Sequence, residues 1–566
     1  MPKFFDGAFG TYYYSLTNDD APCERANFTD PKTVLSIHKE YIKAGVDYIK
    51  TNTFHTTDTI LLTQGYGIAM QAVEGTDVCV FADIGPITCD APSELELQYR
   101  KVAETFVALG ATNFLFETLF EYDVIVPAIH LIKERIPHAT IMVSFAVSQD
   151  GYTRKGLYYK TLLQNAAANP FVSIVGLNCA CGPTHLLNLT KALDPATLSK
   201  PFAAMPNSGY PSSLNGRMVF EDNAGYFARK INELFYEGAS IFGGCCGTTP
   251  KHIQLAVKGI HVKYIPVANQ PKSISPTLDK SIKRLALKPI FVELDPPLSS
   301  DCTYLLDAVD KLKACRVEAI TFADSPLAKA RADSIMTAAK IKREKSIDVL
   351  PHLTCRDKNH IAMKASLLGA SFEGIDRILA VTGDPVVFDA YKKSGVFNFN
   401  SIGLISFIKS LNKDLFVDKP FSIGGAMNIN ARNFQKELER CKRKVDNGAS
   451  FLLSQPMFTA TAIENFIQAK RVLMQESDCK LYAGVLPVAS YKNAIFLNNE
   501  VSGIEIPQDV IDRLIDKPVE KVYDVSIQFS KGIIEKVYDY ADGFYIMTPL
   551  KKVDLICSLI SSCFEI

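Results

Sequence analysis

Short apolar runs alternate along this chain with longer amphipathic stretches, and the spacing between runs leaves room for one helix each time. In the first half the runs are Phe4–Gly7, Tyr48–Thr51, Val78–Asp83, Phe114–Glu117, Thr140–Ala146, Ser173–Cys179, Phe202–Met205 and Ser240–Cys246. Between them, Pro31–Ala44 sets Val34, Leu35, Ile37, His38, Tyr41 and Ile42 on one helical face, and Ser93–Leu109 is similarly two-sided. The second half gives Phe291–Leu294, Ala319–Phe322, Val349–Thr354, Arg377–Thr382, Phe421–Ile423, Phe451–Ser454, Tyr482–Leu486 and Gly543–Met547, with a last apolar helix over Val553–Phe564. Eight strand–helix units close a barrel. The pattern therefore predicts an α/β chain of two (β/α)8 barrels in tandem.

Lys263–Pro289 breaks the pattern, carrying Pro266, Pro271, Pro276 and Pro289 among Ser, Lys and Asn. We expect domains at 1–262 and 288–566, joined by a linker at 263–287. A chain of 566 residues exceeds what one core usually supports, in agreement with two domains. Lys plus Arg and Asp plus Glu are equal at 61 each, so no net field favours nucleic acid or an anionic membrane. The opening residues have no signal-peptide pattern, no run is long enough to cross a bilayer, and 14 scattered cysteines read as reduced thiols; the expected location is cytoplasmic. No Gly-x-Gly-x-x-Gly or Walker-type loop follows a strand.

Chemistry concentrates at the strand ends, where such barrels carry their functional groups. Cys245 and Cys246 stand between glycines at the end of the eighth run, and neighbouring cysteines cannot form a relaxed disulfide with each other. With Cys179, at the end of the sixth run, they make a set of three thiols suited to zinc with an open fourth position. Cys181 is a candidate fourth ligand that would close the site, and packing as small buried hydrophobes is the plainer alternative. Asp6 and Glu117 end their runs and could hold the ammonium of an amino-acid substrate; helix capping or a buried ion pair are the structural alternatives. In the second half Glu293 ends a strand before Asp295-Pro296-Pro297, a setting for a general acid of raised pKa, with a helix-dipole partner as the structural alternative. Asp384 and Gln455 follow two further strands and could pair with a heterocycle. Lys436–Lys444 is a strongly basic helix, which in isolation reads as a solvated face.

Asp6-Gly7-Ala8-Phe9-Gly10-Thr11, Thr51-Asn52-Thr53-Phe54, Phe116-Glu117-Thr118, Gly176-Leu177-Asn178-Cys179 and Gly243 through Pro250 resemble the homocysteine S-methyltransferase domain over roughly residues 1–262. The resemblance implies Zn2+ on Cys179, Cys245 and Cys246, homocysteine sulfur as fourth ligand, and Asp6, Glu117 and Asn178 around its amino-acid end. The chain departs from the family with Phe9 where Met is common, and with His55-Thr56 where Gly-Ala often follows.

Val292 through Pro297, Ile320 through Ser325, Pro351 through Asp357, Thr382-Gly383-Asp384-Pro385, Lys442 through Asp446 and Gly484 through Val488 resemble methylenetetrahydrofolate reductase over roughly residues 288–566. That resemblance implies an FAD enzyme reduced by NAD(P)H, with Glu293 as the acid that opens the folate ring and Asp384 beside flavin and pterin. Gln455 would bind pterin. Thr321, His352, Thr382 and Gly383 would contact FAD, Glu437 a ribose, and Arg443 and Lys444 the phosphates. Gly424-Gly425-Ala426-Met427-Asn428 replaces a Pro-Glu-x-His found in some members.

The two resemblances together imply a bifunctional enzyme in which one barrel makes 5-methyltetrahydrofolate and the other methylates homocysteine to methionine. The sequence shows no Asp-x-His-x-x-Gly cobalamin motif and no third barrel for methylfolate, so methylfolate as donor would need a separate corrinoid protein or a direct transfer. The alternatives are a donor of the S-methylmethionine type with an independently acting reductase, or a metabolite-responsive scaffold with one inactive barrel. The number of chains in the assembly stays open, a homo-oligomer included.

Overall fold

A computed structural model describes residues 2–17, 19, 21–87, 92–214, 217–260, 285–384, 396–431, 433–473, 477–501 and 503–565. The expected linker at 263–287 lies almost wholly outside the described residues. The chain divides into two compact units, Met1–Pro266 and Val267–Ile566.

In the first unit eight parallel strands follow the predicted order: β1 Lys3–Phe4, β2 Tyr48–Lys50, β3 Cys79–Ile84, β4 Asn113–Leu119, β5 Thr140–Phe145, β6 Ile174–Asn178, β7 Phe202–Met205 and β8 Ile241–Phe242. Each pairs with its neighbour in sequence, β1 returns to β8, and a bridge between Phe5 and Tyr48 joins the remaining edges. Alternate residues point inward, so Phe5, Tyr48, Phe81, Leu115, Met142, Ile174, Ala203, Met205 and Ile241 fill the interior, with every strand contributing. The predicted helices appear at Pro31–Lys43 and Pro92–Ala108. The first begins where Asp30 accepts a hydrogen bond from the Thr33 amide at 3.3 Å and proline occupies the first turn.

The second unit is a closed parallel barrel of β9 Ile290–Leu294, β10 Ala319–Phe322, β11 Asp348–Thr354, β12 Arg377–Val381, β13 Ser422–Met427, β14 Phe451–Pro456, β15 Lys480–Val485 and β16 Gly543–Met547. Its interior is larger-ringed, with Phe291, Phe451, Tyr482 and Tyr545 around Leu350 and Leu379. Strand β13 contributes Gly424 to this layer, paired with Leu379 and Phe451. A side chain there would meet the Phe451 ring at 2.3 Å, so the aromatic occupies the space its neighbour vacates. The basic stretch forms the helix Phe434–Asp446, and the tail packs as Val553–Cys563. Among the described residues no helix is long and apolar enough to cross a membrane.

Candidate active sites

At the carboxyl end of the first barrel the chain makes two sharp departures from strand geometry. Cys179 follows β6 with φ of 58°, a left-handed conformation that turns its thiol back over the barrel end, and its amide donates to the Met205 carbonyl at 3.2 Å. After β8, the Gly244 amide donates to the Asp6 carbonyl at 3.1 Å and the Cys245 amide to that of Pro206 at 2.9 Å. The glycines before the thiols are required by close approach. A Cβ on Gly244 would lie 2.3 Å from Thr248 Oγ1, and one on Gly243 2.9 Å from Phe5 Cβ. Thr248 locks the turn, accepting from the Ala8 amide at 3.0 Å and donating to the Cys245 carbonyl at 2.7 Å.

The result is a cluster in which the Sγ atoms of Cys179, Cys245 and Cys246 all lie within 4.8 Å of one another. Cys179 and Cys246 Sγ are 3.8 Å apart. Sulfurs held at about 2.3 Å by a tetrahedral zinc would be about 3.8 Å apart, so the donor set fits that ion. Hydrogen bonding to Cys179, burial and the neighbouring thiol push the Cys245 thiol well above its ordinary value, and a bound cation would reverse that balance. Cys181 is turned elsewhere: its Sγ donates to the Val147 carbonyl at 3.1 Å.

Around the thiols lies a buried polar network. Asn178 donates from Nδ2 to Glu117 Oε2 at 3.1 Å and Thr118 Oγ1 at 2.7 Å, and its Oδ1 accepts from Ser144 Oγ at 2.8 Å and the Thr118 amide at 2.9 Å. Lys50 Nζ stands 3.5 Å from Glu117 Oε2 and 3.9 Å from Asp6 Oδ1, while its amide donates to Asp6 Oδ2 at 3.0 Å. Asp83 is buried in the same group. Desolvation raises Asp6 to about 7 against the attraction of Lys50, and desolvation with repulsion from Glu117 raises Asp83 well above the usual carboxylate range. Lys50 and Asp83 were not singled out from the sequence, although both are charged residues within strand runs. Inward strand parity is the signal that points to them.

In the second barrel Glu293 on β9 is the focus. Tyr545 on β16 donates its hydroxyl to Glu293 Oε2, and His352 Nε2 on β11 lies 3.7 Å from the same oxygen. Desolvation raises Glu293 to about 7, opposed by the Tyr545 hydrogen bond, and burial lowers His352 to about 3, leaving it neutral. Its Nε2 is buried with no hydrogen-bond partner, an orphaned polar atom beside the acid. Thr321 is fully buried on β10, in register with Glu293.

Asp384 accepts from the Leu327 amide at 2.6 Å, and Arg356 Nη1 donates to its carbonyl at 3.4 Å. Thr382 Oγ1 accepts from the Ser401 amide at 3.1 Å, and Gly383 adopts φ of 90° with Arg356 Cβ only 3.1 Å from where a side chain would begin. Gln455 is exposed, at the register shift of β14. On the basic helix, Arg443 is exposed, Lys444 is 3% exposed with its ammonium committed to the Ala426 carbonyl, and Glu437 Oε1 accepts from the Asn428 amide at 3.1 Å. Glu437 and Lys444 thus tie their helix to β13 and its following turn. Tyr545 was missed from sequence because an aromatic in a strand run reads as core, which its ring is.

Residues 3–259 match the family model for homocysteine S-methyltransferase, and residues 282–563 that for methylenetetrahydrofolate reductase. The chain carries a domain of each family. Both families are enzymes. The methionine synthase of Mycobacterium leprae (strain TN) is 30% identical over 297 residues, 44% of this chain. The chain spans 23% of that relative's length. Structures of the homocysteine methyltransferase MmuM from Escherichia coli align with TM-scores of 0.39 for the oxidised form and 0.37 for the metallated form. Identities are 18% and 19%, and each alignment covers 45% of this chain and 95% of that one. The methyltransferase domain holds the three-thiol cluster, and the reductase domain holds Glu293.

Proposed function

We propose that the methyltransferase domain transfers a methyl group to the sulfur of homocysteine, giving methionine, and that the reductase domain converts 5,10-methylenetetrahydrofolate to 5-methyltetrahydrofolate. The observation that carries this reading is the cluster of Cys179, Cys245 and Cys246, whose 3.8 Å Cys179–Cys246 separation suits one tetrahedral zinc. Zinc held there, with its fourth position open, would supply acidification of the substrate thiol at neutral pH. The carboxylates do the positioning. Asp6 and Asp83, raised by desolvation beside Glu117 and Lys50, are carboxyls that a substrate α-ammonium entering the network would draw into the ionised form, so the site gains a favourable charge partner on binding. Asn178, fixed by four hydrogen bonds, keeps the Glu117 carboxylate aimed at that position. The substrate sulfur then attacks the methyl carbon; the S–C bond forms as the methyl–donor bond breaks, and the electron pair leaves with the donor.

In the reductase domain, residues around the orphaned His352 Nε2 suit a polar heterocyclic cofactor, and Thr321, His352, Thr382 and Gly383 would hold FAD with Arg443 offering a phosphate contact. Bound FAD would supply hydride transfer from NAD(P)H to the methylene carbon. Glu293 gives its proton to the folate nitrogen as the ring C–N bond opens, and a carboxyl poised near 7 is matched to that task. Asp384, fixed by the Leu327 amide, and Gln455 bind the pterin.

Because the same chain carries a domain of the methylenetetrahydrofolate reductase family, we infer that methylfolate, acting through a separate corrinoid protein, is the methyl donor. Methionine formation from homocysteine with methylfolate, with and without a corrinoid protein, and with S-methylmethionine, tests this. Methionine from methylfolate only when the corrinoid protein is present is expected; turnover with S-methylmethionine alone would replace the coupled reading by two independent activities.

A further inference from the structure

Glu293 is held by one neighbour that the family reading does not supply. In the parallel register β9 and β16 pair Phe291 with Tyr545 and Glu293 with Met547. Tyr545 therefore belongs to the interior layer below Glu293: its ring packs among Phe291, Leu350 and Tyr482, and its hydroxyl reaches up to Glu293 Oε2. It is 7% exposed, so its position is fixed by packing on every side rather than by solvent. The other groups facing this carboxyl are His352 on β11, at 3.7 Å and without a hydrogen bond, and Asp295 on the segment that follows β9. Asp295 is itself paired with Arg331 at 3.2 Å.

We propose that Tyr545 is the positioning residue for the reductase acid: by donating to Oε2 it confines the acidic proton of Glu293 to Oε1, the oxygen left to face substrate. The proposal rests on the reading of Glu293 as general acid. A phenol that donates to one carboxyl oxygen blocks the competing site of protonation there, because two protons cannot occupy one O···O contact. It also favours the ionised acid, so it draws Glu293 back toward neutrality from the higher value that burial alone would give. When the acid acts, the Oε1–H bond breaks and the proton forms an N–H bond on substrate; the resulting carboxylate keeps Tyr545's hydrogen bond and regains its proton from solvent. His352, neutral at working pH, provides no rival proton.

The test is direct titration of Glu293 in the full chain carrying 13C-labelled glutamate carboxyls, read by NMR, with E293Q assigning the signal. Wild type is expected to titrate near 7 and Y545F about one pH unit higher, while H352Q leaves the midpoint in place. An unchanged midpoint in Y545F, or a shift seen in H352Q instead, overturns the proposal. The pH profile of methylenetetrahydrofolate reduction should shift the same way in Y545F, with nicotinamide-to-flavin transfer unaltered. If E293Q retains full folate reduction, the acid assignment itself falls, and the titration still decides what Tyr545 does to the carboxyl.

Discussion

The two barrel ends solve the same electrostatic problem in opposite ways. Asp6, buried, and Glu293, part-exposed at the barrel mouth, are both carboxyls raised to about 7 by desolvation. Asp6 is opposed by a full positive charge on Lys50 and sits among further carboxylates, so its surroundings form a charged lattice that can accept another cation. Glu293 is opposed by a neutral phenol, beside a neutral imidazole, and the nearby Asp295 is itself paired with Arg331, so its proton is left for substrate. A network of charges suits holding an ammonium; an isolated acid suits giving a proton away.

That contrast can be broken at either end. The largest effect is expected from E293Q, which should cut folate reduction about 10²–10⁴-fold while leaving nicotinamide-to-flavin transfer near wild type, measured by stopped-flow absorbance. C246S should lose metal and methyl transfer while reductase activity persists. Removing a group that merely supports a metal ligand costs about 10–100-fold in affinity, and losing the ligand itself should cost more, as metal analysis of the purified variant would register.

Lys50→Met leaves the carboxylates of the first barrel without their cation and should destabilise that domain by about 3–5 kcal/mol. Calorimetry should show one transition lowered and that of the reductase domain unmoved. Were the reductase transition to move equally, the two cores would not be independent.

For Glu293 the sign is opposite to that of a salt-bridged acid. Its folded value lies above the ordinary 4.5, so the folded state binds more protons and stability falls as pH rises from about 4.5 through about 7. E293Q abolishes that loss and should be more stable than wild type at pH 8 by up to about 3 kcal/mol, with the gap closing below pH 5, as denaturant titration at both pH values would reveal. Smallest is Gly244→Ala, where the new Cβ must displace Thr248; a destabilisation of about 1–3 kcal/mol by denaturant melt is expected.

How legible was this in the chain? All sixteen predicted strand positions recur in the structure, because inward-facing apolar residues at period two in short runs have few other uses. The thiols could be chosen from the sequence because adjacent cysteines cannot pair with each other and flanking glycines argue against core packing, but their mutual distance needed the left-handed turn at Cys179, which no local propensity announces. Lys50, Asp83 and Tyr545 are harder to read for a different reason. Each belongs to a strand run, where parity marks an inward side chain but a single sequence does not say whether it fills the barrel or reaches its mouth. The basic helix divides similarly: neighbouring Arg443 and Lys444 look alike in sequence, yet helical geometry exposes one and buries the other against Ala426.

The central claim is an open three-thiolate site whose fourth position belongs to substrate. X-ray absorption at the zinc edge of the purified protein, with and without homocysteine, measures this most directly. Three sulfur neighbours at about 2.3 Å rising to four on adding homocysteine is the predicted result. Four sulfurs before substrate is added, with no change afterwards, would contradict it and would make the site a closed structural one.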